Sequence, residues 1–383
     1  MTEYQKRNKN SEENTMEYKR LGDYIRPVDV RNRDLKVTEL LGLSIEKKFI
    51  PSIANTIGTD MSTYKIVRPT QFAYVPVTSR NGDKITVALY EGAEPILISQ
   101  AYTVFEIIDH KALLPEYLMM WFRRPEFDRY ARFHSHGSAR EVFDWDELCD
   151  VMLPVPDIER QREIVAEYET LTNRIRLNEQ IIQRLEATAQ TLYRKMFVDN
   201  IDKENLPAGW RMGTLGDVAT FKYGKLADKN PQSKEHPYPV FSGYAITGYT
   251  SEYTIKEPTI VIIARGDAGT GKICMSPKEC FLSNLAIAIE TKDDVIKDYL
   301  YYHLLESDTM ALRSGTAQAQ ITINNIEPFK IMIPTRKVCL EFAQKAETLY
   351  TNIVLHNQEN TKLTELQSLL LAKMGNKIET LIQ

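Results

Sequence analysis

The chain carries the same sequence pattern twice. Leu21-Gly22-Asp23 returns as Leu215-Gly216-Asp217, and the stretch that begins at Gly137-Ser138-Ala139 returns 178 positions later at Gly315-Thr316-Ala317. Further matches at that offset are Pro156 with Pro334, Glu163 with Glu341, Glu169-Thr170-Leu171 with Glu347-Thr348-Leu349, Leu185 with Leu363, and Lys195-Met196 with Lys373-Met374. A repeat held in one register over this length predicts two equivalent structural units.

The offset between the repeats widens toward the N-terminal part of each repeat. Tyr117-Leu118 matches Tyr299-Leu300 at an offset of 182, and Asp23 matches Asp217 at an offset of 194. Insertions therefore lie in the first part of each repeat, while the second part keeps a constant length. This pattern is typical of a scaffold of fixed length that carries modules free to differ from each other.

The composition is that of an ordinary globular protein, with 43% hydrophobic and 26% charged residues. No apolar run approaches the ~20 residues that a membrane span needs, and the N-terminus is polar and lacks a signal-peptide core. We therefore predict a cytoplasmic protein without a membrane partner.

The cysteines and the net charge limit two classes of function. Cys149, Cys274, Cys280 and Cys339 form no CxxC pair and have no histidine cluster near them, which predicts reduced, mostly buried thiols and no metal site. The net charge of −4 lacks the overall basic signature of a nucleic-acid-binding protein. DNA binding would then require a local basic patch or a basic partner.

Two globular α+β modules are predicted, at residues 18–153 and 210–333. Both contain short apolar runs, such as 103–108 and 259–263, which are separated by turn signals and accompanied by helical patterns. Residues 1–17 are polar and nearly devoid of core-forming side chains, so we predict a disordered tail there.

A long helix is predicted after each module, at 154–199 and at 334–383, with a linker at 200–209 before the second module. Apolar residues in both segments recur at alternating steps of four and three, a heptad pattern that calls for a partner helix. The pairing residues predicted from it are Leu171, Ile175, Asn178, Ile182, Leu185, Leu349, Ile353, His356 and Leu363.

Asn178 and His356 occupy the same position of the apolar seam in the two repeats. A polar group there costs stability but fixes register and orientation. We therefore predict that the two helices pair with each other and that these two side chains lie near the crossing. The alternative is that each side chain points to solvent at a kink.

Chain length constrains the direction of the two helices. About forty residues of helix are roughly 60 Å long, whereas the segment from Asp199 to Gly209, about eleven residues, spans at most ~40 Å. The second module must then begin near the far end of the first helix, and the second helix returns antiparallel to the first. The predicted architecture is two tandem α/β modules joined by two long antiparallel coiled-coil helices, with approximate two-fold symmetry.

One motif resembles a phosphate-binding loop but lacks its context. Gly266 to Lys272 fits G-x-x-x-x-G-K, yet Ile273 follows where Ser or Thr would hold magnesium, and no helix can open there. We interpret it as a glycine-rich hairpin or loop between strands. Methyltransferase, nuclease and helicase motifs are also absent from the sequence, so we predict no catalytic residue and no cofactor in this chain.

Two small duplicated loops, at 135–140 and 313–320, carry hydroxyl, Arg and Gln side chains beside a Gly that permits close backbone approach. Hydroxyls suit phosphate oxygens, Arg suits guanine and Gln suits adenine. With the basic helix around 123–132 and the loop at 222–225, the candidate DNA contacts are Arg123, Arg124, Ser135, His136, Ser138, Arg140, Lys222, Tyr223, Lys225, Arg265, Thr316, Gln318 and Gln320. The alternative is a pair of capped turns and a solvated surface.

The tandem modules, the Leu-Gly-Asp openings, the Gly-Ser/Thr-Ala loops and the proline-led helices together resemble the specificity subunit of type I restriction–modification systems. The resemblance extends from about residue 18 to residue 376. Its motifs are individually weak, but they occur twice and in the same order.

The resemblance implies a division of labour. Each module would be a target recognition domain that reads one half of a split site in double-stranded DNA, while the helices would set the gap and dock two methyltransferase subunits. S-adenosylmethionine, ATP and magnesium would reside on the methyltransferase and the restriction/translocase subunits. The absence of catalytic motifs from this chain agrees with that arrangement.

Two other classes of function remain open from the residues alone. A coiled-coil adaptor that binds proteins and no DNA would have no need of cations near both duplicated loops, and Arg140 and Arg265 favour DNA over it. A nucleotide-dependent enzyme built on the loop at 266–272 would bind ATP as an isolated chain.

Overall fold

The computed structural model describes residues 17–52, 58–78, 82, 84–137, 141–226, 236–266, 269–314 and 320–375. Residues 1–16 of the predicted tail lie outside them. The described chain forms two compact units, one from residues up to 177 together with those from 359 onward, and one from 178–358. No helix within the described ranges is long and apolar enough to cross a membrane.

The first unit is built on a four-stranded antiparallel sheet in the order β2-β9-β6-β7. Its strands are β1 (Tyr18–Arg20), β2 (Ile25–Val28), β3 (Leu41–Leu43), β4 (Phe49–Pro51), β5 (Lys65–Val67), β6 (Phe72–Tyr74), β7 (Val87–Leu89), β8 (Ile96–Ile98), β9 (Thr103–Ile107) and β10 (Met152–Pro154). Its helices are α1 (Pro115–Arg123), α2 (Pro125–Phe133), α3 (Trp145–Cys149) and the first half of α4 (Ile158–Phe197). The core centres on stacked Phe72 and Phe105 rings, with centroids 4.9 Å apart, packed against Phe122 of α1.

The second unit repeats this sheet with the strand order β12-β18-β15-β16. Its strands are β11 (Arg211–Thr214), β12 (Ala219–Tyr223), β13 (Tyr238–Phe241), β14 (Ile246–Thr250), β15 (Ile260–Ile263), β16 (Ile273–Met275), β17 (Phe281–Leu282), β18 (Ala286–Thr291) and β19 (Lys330–Ile333). Its helices are α5 (Leu215–Val218), α6 (Lys297–Glu306), α7 (Ile323–Ile326), the first part of α8 (Arg336–Lys373) and the second half of α4. Every residue of β15 is apolar and buried, as expected of a strand covered on both faces.

Backbone hydrogen bonds repeat at the sequence offset as well. The amide of Leu21 donates to Val151 O at 2.8 Å, and the amide of Leu215 donates to Phe329 O at 2.9 Å. In each unit the first strand pairs antiparallel with the last, β1 with β10 and β11 with β19. Each module therefore begins and ends side by side, next to the start of a long helix. The predicted α+β fold with two tandem modules is confirmed.

The two long helices run antiparallel within each unit. In the first, the Arg174 guanidinium donates to both Glu359 carboxylate oxygens at 2.8 and 3.1 Å, and Gln367 donates to the Thr172 hydroxyl at 2.7 Å. The side chains proposed to pair the helices are all buried or half-buried: Leu171, Ile175, Asn178, Ile182, Leu185, Leu349, Ile353, His356 and Leu363. The apolar stripe of each helix thus faces protein rather than solvent.

A polar contact interrupts the apolar seam where the sequence predicts one. His356 Nδ1 lies 3.1 Å from Asn178 Oδ1, and the Asn178 side chain is fully buried. Because the two residues hold equivalent positions in the two repeats, one register of the antiparallel helices brings them together. A slip by one turn would leave buried polar groups opposite apolar ones.

The glycine-rich motif connects two strands of a hairpin, as its sequence predicts. β15 and β16 pair antiparallel, and Gly266 and Gly271 adopt positive φ angles of 122° and 93° in the connection. Arg313 donates to Thr270 O, and the Thr309 hydroxyl donates to Gly271 O at 2.6 Å. These bonds fasten the connection to the segment before the second duplicated loop.

Replacing Asn178 and His356 by Ala, singly and together, tests the polar contact in the seam. We expect a coupling free energy of about 1 kcal/mol in a double-mutant cycle, because each single substitution leaves the other polar group without this partner. Urea unfolding of the four proteins measures it. Strictly additive effects would show that the two groups do not depend on each other.

The half-buried imidazole of His303 predicts a pH dependence of stability. Burial lowers its pKa to about 4, and its Nδ1 lies 3.0 Å from the Tyr193 hydroxyl on α4. Between pH 6.5 and 4 the unfolded chain binds a proton that the folded chain does not, so stability falls as pH falls through this window. We expect His303→Gln to remove roughly 2 kcal/mol of the loss between pH 7 and pH 5. Equal slopes in wild type and variant, measured by urea unfolding, would contradict this.

Candidate nucleic-acid interface

The carboxyl ends of two strands meet at one edge of each central sheet. In the second unit β12 and β15 both pair antiparallel with β18, so they are parallel to each other and end at the same edge. In the first unit β2 and β6 stand in the same relation to β9. We call these the recognition edges of the two units.

A short loop closes on itself at each recognition edge. His136 and Val142 exchange two backbone hydrogen bonds, of 3.0 and 2.9 Å, and Ser314 and Gln320 exchange two of 2.8 and 3.0 Å. These four residues are related pairwise by the offset of the sequence repeat. The duplicated loops of the sequence are therefore closed by the same backbone hydrogen bonds in both units.

Each loop is held against the sheet by the residue that follows it. The amide of Phe143 donates to Pro76 O, just beyond β6, and the amide of Ile321 donates to Ala264 O, just beyond β15, both at 2.9 Å. Both side chains are buried. Because these contacts are made by backbone and buried apolar groups, the loops can vary in sequence while keeping their place at the edge.

A capped helix follows each loop. The Asp144 carboxylate accepts a hydrogen bond from the Glu147 amide at 3.0 Å and caps α3. Thr322 and Asn325, at the equivalent positions, form a capping box on α7. The residues that follow both loops therefore cap short helices.

In the second unit, the proposed DNA contacts gather at the recognition edge. The Tyr223 hydroxyl accepts a hydrogen bond from the Ile323 amide at 3.1 Å, which ties the end of β12 to the helix after the loop. Arg265 follows β15 with an exposed side chain, and Gln320 closes the loop beside it. Lys225 lies next to the end of β12, where its amide donates to Leu282 O.

The charges at this edge differ in how they are compensated. Lys222 Nζ lies 2.6 Å from the Glu290 carboxylate on the neighbouring strand, so its charge is balanced within the protein. Neither Arg265 nor Lys225 has a side-chain ion pair with any residue in the described ranges. The charges of these two side chains are therefore not balanced by a carboxylate in the described part of the chain.

An exposed tyrosine at the same edge escapes sequence reasoning. Tyr244 is 65% exposed at the tip of the turn between β13 and β14, where Gly243 adopts a φ of 101°. The Cys274 thiol donates to Gly243 O at 2.6 Å, and burial raises its pKa to about 12, so it remains a donor. The only signal in the sequence is the Ser242-Gly243-Tyr244 turn, which offers glycine for the bend and an aromatic ring at its tip.

In the first unit, Ser135 and His136 lie at the recognition edge. The Ser135 hydroxyl donates to Ala131 O at 2.6 Å and accepts from the Thr78 hydroxyl at 3.0 Å, so it holds the loop in place. His136 is 71% exposed, and its Nε2 lies 3.3 Å from the Glu147 carboxylate. Phe133 stands beside the loop with a largely exposed ring.

The two arginines between α1 and α2 occupy different surroundings. The Arg123 guanidinium lies over the Tyr168 ring of α4 at 5.7 Å. Arg124 is buried, with 7% of its side chain exposed, and stacks on Trp121 at 4.2 Å. Burial lowers the pKa of Arg124, and a Cβ at Gly375 would overlap its guanidinium. This placement argues against phosphate contact by Arg124, and we leave it out of the interface.

Four proposed contacts lie outside the described residues: Ser138, Arg140, Thr316 and Gln318. In the sequence they fall between His136 and Val142 and between Ser314 and Gln320. Among the residues that the structure describes, no group of three or more His, Cys, Asp or Glu side chains could hold a metal ion. The recognition edge of the second unit combines a closed loop, exposed cations, an amide side chain and an aromatic ring, which are groups that can contact a nucleic acid.

Comparison with known proteins places the chain in a family. The family model described as "Type I restriction modification DNA specificity domain" matches twice, at residues 5–187 and 207–365. The specificity subunit of the type I restriction enzyme HindI from Haemophilus influenzae is 21% identical, over 72% of this chain and 80% of that protein. A putative specificity subunit of the type I restriction enzyme MjaX from Methanocaldococcus jannaschii is 20% identical, over 72% and 71%.

A solved structure shares the fold. The crystal structure of the type I restriction–modification S subunit from M. genitalium aligns with a TM-score of 0.57 and 15% identity, covering 94% of this chain and 96% of that one. The family model covers most of the chain and matches it in two tandem copies, in agreement with the duplicated units. The chain belongs to the family of type I restriction–modification DNA specificity subunits.

Proposed function

We propose that each unit reads one half of a split DNA site through its recognition edge. The observation that supports this proposal is a loop that recurs at equivalent positions of the two units. Backbone hydrogen bonds close it between His136 and Val142 in the first unit and between Ser314 and Gln320 in the second, and the next residue binds the backbone just beyond β6 or β15. Two copies of one loop with different side chains suit two different half-sites. The rest of each unit keeps that loop in place.

The second unit offers the fuller set of described contacts. Arg265 can donate two parallel hydrogen bonds to guanine, and Gln320 can pair with adenine. Tyr244 can stack on a base or pack on a sugar. Lys225 and Lys222 suit the phosphate backbone, and Lys222 would have to exchange its Glu290 partner to do so. Tyr223 acts as a positioning residue through its bond to the Ile323 amide.

The first unit would read its half-site with the loop that His136 and Val142 close. His136 offers an exposed ring, while Ser135 is committed to the loop's internal hydrogen bonds. In the sequence, Ser138 and Arg140 add a hydroxyl and a cation between His136 and Val142, as Thr316 and Gln318 add a hydroxyl and an amide between Ser314 and Gln320. Arg123 is the last residue of α1, and it contributes to the phosphate contacts only if its guanidinium leaves the Tyr168 ring of α4.

The helices α4 and α8 set the gap between the half-sites and dock two methyltransferase subunits. Their similar lengths, 40 and 38 residues, support the first role. For the second, they carry exposed apolar side chains that a single chain does not need: Leu177, Ile181, Leu355, Leu366 and Leu369. S-adenosylmethionine, ATP and magnesium then belong to the methyltransferase and restriction/translocase subunits of a cytoplasmic complex.

A coiled-coil adaptor without DNA binding is the competing function. It explains the helices, but it leaves Arg265 and Lys225 without a role at the edge where the closed loop and Tyr244 converge. The family match also favours DNA specificity over an adaptor.

Arg265→Ala tests the second recognition edge. We expect the complex with methyltransferase to lose roughly ten- to a hundredfold in affinity for its site, since a bidentate base contact contributes about 1–3 kcal/mol of discrimination. Methylation mapping should show one relaxed half-site and an unchanged gap. Fluorescence anisotropy measures affinity, and sequencing of methylated DNA identifies the half.

Arg336→Ala is the matched control for Arg265→Ala. Arg336 is an exposed arginine in the same unit, but it pairs with Asp293 at 2.8 Å at the start of α8. It should change neither affinity nor motif, because exposed ion pairs contribute little. Equal behaviour of the two variants would remove Arg265 from the interface.

A further inference from the structure

A groove of about 380 Å³ lies in the second unit between α6 and α8. Its walls are aromatic and apolar, with Tyr301 and Tyr302 from α6 and Leu340 and Tyr350 from α8. Leu340 and Tyr350 are 40% and 47% exposed, so the rim offers apolar surface to solvent. Nothing in the reading of DNA uses this groove.

The first unit has a groove of about 400 Å³ at the equivalent place, between α1 and α4. It is lined by Met119 and Met120 from α1 and by Tyr168 and Thr172 from α4. These residues correspond in sequence to Tyr301, Tyr302, Ala346 and Tyr350, at the repeat offsets of 182 for α1 and 178 for α4. One groove has therefore been kept in both repeats, although its wall residues differ.

An acidic pair is the feature that the two grooves share. Glu116 of α1 and Glu169 of α4 line the first groove, and Asp298 of α6 and Glu347 of α8 line the second. Glu116 corresponds to Asp298, and Glu169 to Glu347, at the same two offsets. Both pairs combine one carboxylate from the module with one from the long helix.

None of these four carboxylates forms an ion pair with a residue in the described ranges. Burial raises the pKa of Asp298, the neighbouring Lys297 lowers it, and the nearby Glu347 raises it. A second cation brought between Asp298 and Glu347 would stabilise the charged form of both carboxylates. Lys297 also lines the second groove, and Lys48 and Arg123 line the first, so the first groove is the less acidic of the two.

We propose that each groove binds one copy of the same segment of a methyltransferase subunit, in which a Lys or Arg side chain is flanked by apolar residues. The cation would lie between the two carboxylates, and the apolar residues would cover the exposed rim. This inference rests on the proposed docking function and names its site. Two equivalent grooves account for two methyltransferase subunits per chain.

Charge complementarity selects this occupant. A nucleic acid would be repelled by the acidic pairs, and a purely apolar segment would leave the half-buried Asp298 facing it without a partner. The less acidic first groove should bind its subunit more weakly. The two docking events should therefore separate in a titration.

The test reverses the acidic pairs in the full chain, co-expressed with its methyltransferase subunit. Asp298→Lys with Glu347→Lys should leave one subunit on the first groove, and Glu116→Lys with Glu169→Lys should leave one on the second. Native mass spectrometry counts the copies, and titration should show at least a tenfold weaker second binding step. Combining all four substitutions should remove both copies.

Controls separate docking from folding and from long-range charge. Glu179→Lys with Glu365→Lys makes the same charge change on exposed positions of α4 and α8 outside the grooves and should retain both copies. Tyr350→Glu alters the exposed rim alone and should weaken the second groove even if Asp298→Lys impairs folding. DNA binding by the free chain should stay unchanged in every variant.

Two negative results have different meanings. If wild type binds two methyltransferase subunits and the reversed pairs also bind two with unchanged affinity, the groove assignment is wrong while the docking function stands. If the wild-type chain binds no methyltransferase subunit, both the docking function and the assignment of the grooves as its sites are wrong.

Discussion

The antiparallel pairing of α4 and α8 is the constraint on which the rest of the structure depends. Each unit takes half of both helices into its own core, through Val165 and Leu371 in the first and through Tyr193 and Phe342 in the second. A buried contact between Asn178 and His356 selects one register. The first and last strands of each module pair with each other next to the start of a long helix. The register of the helices therefore fixes the position of each recognition edge relative to the helices of its own unit.

The distribution of charge follows from a division of labour between edge and groove. The net charge of −4 argues against DNA binding only if charge is spread evenly. In the described chain, Arg265 and Lys225 lie without ion-pair partners at the recognition edge of the second unit, whereas the lining of each groove beside the long helices contains more carboxylates than cations. A chain that meets DNA on one surface and protein on another can be acidic overall, since its partners share the neutralisation of phosphate.

The internal sequence repeat and the heptad periodicity predict the fold because both patterns extend over most of the chain. The heptad steps locate the seam, and the missing Ser or Thr after Lys272 excludes a phosphate loop in favour of the observed hairpin. The recognition edge is only partly predictable: Arg265 and Gln320 stand out as loop residues, but Tyr244 joins them only through the packing of a separate turn. The burial of Arg124 could not be predicted either, because it depends on Trp121 and on Gly375 at the far end of the sequence.

The most direct test of the central claim is the methylation pattern that the chain directs. The chain would be co-expressed with its methyltransferase subunit, and N6-methyladenine would be mapped on host DNA by single-molecule sequencing. The account predicts one split motif, with two defined halves around a fixed gap. A stable, active complex that methylates no split motif would contradict it and favour the adaptor function.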